Sequence, residues 1–305
     1  MREIFNNLTP ITHLLTPISE LILDKVDGGF SNKTYVAKRD DVPYFIIRVP
    51  CLDKDRFLIN REYEKEILPI VTELGLSPRV VHLNHEGFMV SQFVPQIAFP
   101  WDVKHTTKDI KRLAESFKAI HQLNISGKLY KLDVVIKHYL DEIRLHPNLD
   151  VSLIKQCEFF ERITKRLYSN IPNFTPCTCH NDLNPQNCLA NEEKFWVIDW
   201  EYSGLGDPLF DLAVVKSSHN LTSNQTALLI TEYNQDLPLK QTLDTLEYYH
   251  ALYLVREMVW MLLKFLIGND GTEDLNYYYI FATMLGDKLS FLDMGVSDEF
   301  AVFTK

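Results

Sequence analysis

The stretch HNDLNPQN, residues 180–187, and the stretch VIDWEY, residues 197–202, decide how this chain reads. Asp182 and Asn187 lie five residues apart, and Asp199 lies twelve further on. A loop carrying Asp-x4-Asn, followed by a strand ending in Asp, supplies what phosphoryl transfer from ATP requires. One carboxylate, that of Asp182, can take the proton of an attacking hydroxyl. The Asn187 amide oxygen and the Asp199 carboxylate can hold Mg2+, a hard ion that prefers oxygen ligands. A polar turn or a strand-capping aspartate would explain any one of these residues. It does not explain all three, with His180 just before and apolar Val197-Ile198 leading in.

Upstream, the chain offers the remaining parts in the order such a site needs them. A strand-borne cation must hold the α- and β-phosphates, and a helical carboxylate must position it. The run FIIR ends in Arg48, and the helical run NREYEKEI offers Glu62, Glu64 and Glu66. Between two strands lies GGFSNKTY, residues 28–35, whose glycines and small polar residues can bring backbone N–H groups against phosphate. Each feature is common by itself, since a Gly-Gly turn is usually a hairpin and a strand arginine usually an edge residue. Their order ahead of HNDLNPQN carries the reading.

The periodicity divides the chain in two. Up to about residue 95 it predicts strands over Leu21–Asp27, Thr34–Lys38, Tyr44–Val49, Arg79–Leu83 and Gly87–Phe93, with turns at Gly28-Gly29 and Asp40-Asp41. A helix is expected over Asn60–Leu74, interrupted by Pro69 and ended by Gly75. From about Lys108 the period is helical, over Asp109–Leu123, Leu132–Leu145, Leu153–Tyr168 and the long apolar Leu243–Leu266, with two short β-like stretches around 177–200. The organisation expected is α+β: a small antiparallel-sheet N-terminal lobe over residues 1–91, a hinge over 92–96, and a mostly helical lobe over 97–305.

Composition narrows the function. The 305 residues are 46% hydrophobic and 24% charged, ordinary for a globular protein. Lysine and arginine total 31 against 41 acidic residues, a formal charge of −10, which disfavours a nucleic-acid reader and suits a cationic small substrate. No apolar run is long enough for membrane insertion, and MREIFNNLTP lacks a signal peptide's apolar core. Five irregularly spaced cysteines fit reduced thiols in a cytoplasmic protein. A zinc set of Cys177, Cys179, His180 and Cys188 is disfavoured, because Cys-x-Cys-His is cramped and His180 has a competing use in ordering the loop beside Asp182. The scattered histidines and the oligomeric state are not readable.

On these residues the chain resembles the choline/ethanolamine kinase branch of the aminoglycoside phosphotransferase-like kinases, and within it the bacterial choline kinases. The resemblance runs from about Lys25 to the long C-terminal helix and rests on HNDLNPQN and on IDWEYSGLGDPLFDLA, residues 198–213. It implies a bilobal protein-kinase-like fold that uses ATP and Mg2+. It further implies Asp182 as catalytic base, Asn187 and Asp199 as metal ligands, and Arg48 in place of the protein-kinase lysine, with Glu64 its first partner and Glu62 its second. Ser31 and Asn32 would touch phosphate, and the Gln92 carbonyl and Val94 N–H would pair with adenine. Glu201 and Tyr202 would face the substrate cation, while Asp207 and Asp211 read as loop-bracing residues. Unlike protein kinases, the chain has Asn181 before the base and no evident activation segment, so a small-molecule hydroxyl is the expected acceptor.

A quaternary ammonium offers no N–H groups, so aromatic faces and a carboxylate must recognise it. Tyr249, Tyr253, Arg256 and Trp260 fall on one helical face, and Trp200 and Tyr202 flank Glu201. An aromatic stripe on a long helix is more often core. In the choline kinases this helix resembles Trp-x-x-Trp; here Trp260 fits the second position and Glu257 stands at the first. That change favours a primary amine or a larger cation, and a one-turn slip of the alignment would restore the usual pocket. Choline ranks first, then ethanolamine and thiamine, then an aminoglycoside. A non-catalytic scaffold ranks last, because Asp182, Asn187 and Asp199 are all present.

Overall fold

The computed structural model describes residues 7–9, 21–26, 29–268 and 273–294. Asp27 and Gly28, read as a strand end and half of a Gly-Gly turn, lie outside the described residues, as does most of the N-terminal stretch weighed as a leader. The chain forms two compact units. The first draws on Met1–Asp55, Ile59–Phe99 and Gln186–Ser203, the second on Arg56–Leu58, Pro100–Pro185 and Gly204–Lys305. Gln186–Ser203 thus groups with residues far earlier in sequence, which no single linear boundary near 92–96 expresses.

In the first unit, strands β1 (Ile22–Val26), β2 (Asn32–Arg39), β3 (Val42–Pro50), β4 (Val80–Leu83) and β5 (Met89–Gln92) form an antiparallel sheet in the order β1-β2-β3-β5-β4. The β2–β3 hairpin turns on Asp40 and Asp41, both at positive φ (49° and 62°), the pairing a primed turn demands. Ala37, Ile47, Phe88 and Val90 form the buried face of the sheet. Helix α1 (Arg61–Glu73) starts at Asn60, whose side chain accepts the Tyr63 N–H, and Gly75 follows it at φ +70°. Its buried face carries Arg61 and Glu64 beside Ile67, Leu68 and Val71. Two charged residues on a core-facing stripe must be paired there, and they point to function rather than packing. Short strands β6 (Ile97–Ala98), β8 (Cys188–Ala190) and β9 (Phe195–Val197) complete the unit as an antiparallel β6-β8-β9 sheet.

The second unit is helical around one short ribbon, β7 (Cys177–Cys179) paired antiparallel with β10 (Gly204–Gly206). Helices α2 (Thr107–His121), α3 (Leu132–Arg144) and α4 (Val151–Tyr168) follow the predicted periods. Three more helices had no sequence expectation: α5 (Pro208–Ser218), α6 (Ser223–Tyr233) and α8 (Glu273–Phe291). Helix α5 is apolar almost all round, so it shows no amphipathic period, although Asp207 as N-cap with Pro208 after it marks a legible start. The 29-residue α7 (Leu239–Ile267) is buried on nearly every side from Tyr249 to Leu263. Among the described residues no helix is long and apolar enough to cross a membrane.

Candidate active-site residues

In the first unit, Arg48 sits mid-sheet, opposite Thr34 on β2 and Met89 on β5, with its guanidinium buried. It donates to both oxygens of Glu64, at 2.5 and 2.9 Å, so the helical partner is Glu64 and not Glu62. It also reaches Asp199 Oδ1 at 3.2 Å and the Gly87 carbonyl at 3.2 Å. Arg61 Nη1 then bridges Glu64 Oε2 and Glu201 Oε2, each at 2.8 Å, and Asn32 Nδ2 donates to Glu201 Oε2 at 3.2 Å. Gly87 is required by this arrangement, since a Cβ there would lie 2.3 Å from Arg61 Nε and its φ is +95°. Burial alone disfavours the Arg48 charge, but Glu64, then Glu201 and Asp199, override it and raise its pKa. Burial likewise pushes Glu64 upward, and Arg48 and Arg61 reverse that and hold it below the usual carboxylate value. Two guanidiniums against the carboxylates of Glu64, Asp199 and Glu201 leave the cluster one charge negative.

The other predicted residues of this unit take varied places. Asp199 adopts a left-handed conformation (φ 64°, ψ 64°), uncommon for a non-glycine residue, and keeps its side chain 28% exposed. Asn187 is nearly buried, and its carbonyl accepts the Ile198 N–H at 3.0 Å. The Ser31 carbonyl accepts the Cys51 N–H at 3.2 Å. The Gln92 N–H donates to the Arg79 carbonyl and the Phe93 N–H to that of Tyr44, just before Val94 in the chain. Glu201 is fully buried, its Oε1 without a hydrogen-bond partner among the described residues, and Tyr202 is 8% exposed.

The second unit holds Asp182. Both oxygens of the buried Asp211 accept backbone N–H groups of the loop, His180 at 2.8 Å and Asn181 at 2.7 Å. The His180 ring accepts the Asp182 N–H at 3.3 Å, and Asn184 Nδ2 reaches Asp182 Oδ2 at 3.3 Å. Gly206 on β10 lets the loop approach, since a Cβ there would meet Asn181 Oδ1 at 3.0 Å. From α7, Arg256 donates to Asp182 Oδ1 at 3.0 Å, to the Asn181 carbonyl, and to Glu257 Oε1 at 2.5 and 2.8 Å. Its guanidinium also lies over the rings of Phe210 and Tyr253, 5.4 Å from each centroid. Burial opposes the Arg256 charge, and Glu257, Tyr130 and Asp182 outweigh it, so its pKa is raised.

The aromatic face read on α7 is mostly interior. Tyr249 donates to Asp207 Oδ2, Tyr253 lies under Arg256, and Trp260 meets Phe57 edge-on at 5.6 Å. Tyr253 is 2% and Trp260 9% exposed, while Glu257 is tied to Arg256. Sequence reasoning assigned no role to Arg61 or Gly87, and it placed Arg256 on a face without finding its contact to Asp182. The Arg61–Glu64 spacing of three was legible; the link to Glu201 is not.

The profile described as the phosphotransferase enzyme family matches residues 23–249. The protein LicA of Haemophilus influenzae is 46% identical over 223 residues, an alignment covering 68% of this chain and 61% of that protein. The choline kinase LicA from Streptococcus pneumoniae superposes with a TM-score of 0.72 at 23% identity, over 92% of this chain and 99% of that one. A choline/ethanolamine kinase family protein from Mesorhizobium loti gives a TM-score of 0.72 at 21% identity, over 98% and 97%. The chain shares their fold.

Proposed function

Because the chain belongs to the phosphotransferase enzyme family, we propose that it moves the γ-phosphoryl group of ATP onto the hydroxyl of a cationic amino alcohol, choline before any other. The observation that carries this reading is the two-pronged Arg48–Glu64 pair with Asp199 in reach. A strand cation aimed by a helical carboxylate beside a second carboxylate is the nucleotide-holding device of this chemistry. Choline ranks first because the similar solved LicA is a choline kinase and because LicA of H. influenzae is 46% identical.

Asn187 and Asp199 offer the oxygen donors that Mg2+ takes, and Asp199 carries the surplus negative charge of the Arg48–Glu64–Arg61–Glu201 cluster. Mg2+ bound there would offset charge on the phosphates. In the proposed step the alcohol oxygen forms a bond to the γ-phosphorus, the bond to the β–γ bridging oxygen breaks, and ADP leaves. Asp182 takes the hydroxyl proton, held in place by Arg256 and by the Asp211-anchored loop. Arg48 steadies the α- and β-phosphates. Glu257 favours a primary amine such as ethanolamine as the second reading; Arg256 already holds its carboxylate, which keeps choline ahead.

The test is ADP release from Mg2+-ATP with choline, ethanolamine, thiamine or an aminoglycoside, beside Asp182→Asn. Choline-dependent turnover that falls by about 100-fold or more in Asp182→Asn, with ATP binding retained, is expected. Turnover on ethanolamine, thiamine or the aminoglycoside alone replaces the substrate. Undiminished turnover in Asp182→Asn overturns the assignment of the base, and silence across the panel overturns the reading in favour of a scaffold.

A further inference from the structure

A second constellation lies on β7, outside the residues assigned to phosphoryl transfer. Side chains repeat every two residues along a strand, so Cys177 and Cys179 share one side of it. Their sulfurs are 3.8 Å apart. His121, the last residue of α2, reaches the same place, and one of its ring nitrogens lies with the two sulfurs inside a mutual distance of 4.8 Å. The cramped set weighed from the sequence is a different one. The His180 ring is turned to the Asp182 N–H, and Cys188 belongs to the first unit.

We propose that Cys177, Cys179 and His121 form a binding site for a thiophilic divalent cation of the zinc class. Three features of the geometry support it. Two thiolates at about 2.3 Å from a tetrahedral ion stand about 3.8 Å apart, which is the separation found here. His121 Nε2 meets Asp211 Oδ2 at 3.1 Å, the carboxylate–histidine arrangement that fixes the tautomer and orients a ligating imidazole. That leaves Nδ1, 2.9 Å from the Tyr233 hydroxyl, as the nitrogen to face the ion, with that hydroxyl or a water completing four ligands. Taking the third ligand from α2 relieves the crowding of Cys-x-Cys. Cys179 is buried and Cys177 only partly so, which gives the ion one side of approach.

The site is coupled to the chemistry by a single residue. Asp211, on which His121 leans, is also the acceptor for the His180 and Asn181 N–H groups. An ion on His121 therefore fixes the ring that bears on the anchor of the loop that carries Asp182. Binding converts both thiols to thiolates and releases their protons to solvent.

The test uses the full chain, reduced and anaerobic, with the exposed Cys51 replaced by Ser, and Co2+ and then Zn2+ as probes. One equivalent of Co2+ should give a thiolate-to-cobalt charge-transfer band that one equivalent of Zn2+ abolishes. The band should be lost in Cys177→Ser, and affinity should fall at least tenfold in His121→Gln. On the protein with Cys51 intact, Zn2+ should slow alkylation of Cys177 while leaving Cys51 unaffected, a measurement that needs no folded variant at the site. No band, a band undiminished in Cys177→Ser, or alkylation of Cys177 indifferent to Zn2+ overturns the site and leaves a simple S–H···S contact. None of these readouts depends on phosphoryl transfer, so the outcome is separate from that of the substrate panel.

Discussion

Glu64 in the first unit and Asp211 in the second are both fully buried carboxylates, satisfied in opposite ways. Glu64 is met by the guanidiniums of Arg48 and Arg61, and through Arg61 it is linked to Glu201. Asp211 accepts two consecutive backbone N–H groups and one imidazole. The first arrangement sets where charge sits, because Glu64 raises the pKa of Arg48 and the two guanidiniums lower that of Glu64. The second sets where the chain runs, because a carboxylate bridging adjacent N–H groups fixes the path of the loop. Each half of the proposed chemistry has the device it needs: phosphates are managed by charge, and a proton acceptor is managed by position.

The largest effect expected from breaking this contrast is at Arg48. Arg48→Ala leaves Glu64 buried with Arg61 as its remaining partner, and removing one member of a buried pair costs about 3 kcal/mol or more. The double variant Arg48→Met with Glu64→Leu should recover much of that loss, because apolar replacement of a whole buried pair is often close to neutral. Denaturant unfolding of the three proteins measures it. A single variant costing under about 1 kcal/mol would mean the network does not govern the first unit's stability.

How far these devices were legible follows from their range in sequence. Asp182, Asn187 and Asp199 stand in two short segments, so their spacing could be read directly. Arg48 and Glu64 were legible because a strand end and the next helix present them in order. Asp211 could be named as a brace, but that its oxygens take the His180 and Asn181 N–H groups is a fact of tertiary structure. Arg61–Glu201 and Arg256–Asp182 join residues far apart in the chain, and no local period records such a link. Helix α5 escaped notice for a related reason, since an element buried on all sides shows no amphipathic alternation.

Acid separates the two units, the next effect in size. The rings of His105 and His219 share a hydrogen bond of 2.8 Å, and His219 Nε2 donates to the Leu183 carbonyl at 3.1 Å. Burial, with His105 close by, lowers the His219 pKa from 6.5 to about 3, and His250 falls to about 2 by burial and the charge of Lys216. These rings are neutral in the fold and bind a proton more readily once unfolded. Their contribution is therefore complete above about pH 6.5 and is lost as the pH falls toward the folded values. For His219 the loss from pH 7 to pH 5 is on the order of 2 kcal/mol. Glu64, held below 4.5, keeps its contribution until the pH drops under that value. Chemical unfolding at pH 7, 6 and 5 should show a declining stability whose slope is reduced by about one proton in His219→Gln. An unchanged slope would place the acid sensitivity elsewhere.

The smallest expected change in stability, and the one that speaks most directly to function, is Asp211→Asn. The carboxamide keeps one acceptor oxygen but turns an N–H donor toward the loop, so either His180 or Asn181 loses its partner. An unsatisfied buried N–H costs about 1–2 kcal/mol, little beside the Arg48 change. Yet Asn181 sits at a left-handed φ of 64°, and a loop held there relaxes when its anchor is loosened. Asp182 follows it in the chain, so kcat should fall about tenfold or more while KM for ATP stays near the wild-type value, the split that marks lost positioning rather than lost binding. Faster amide exchange at His180 and Asn181 would tie that fall to the loop. If kcat holds while those amides exchange faster, Asp211 braces the chain without placing the base, and Arg256 and Asn184 would be left to orient the Asp182 carboxylate.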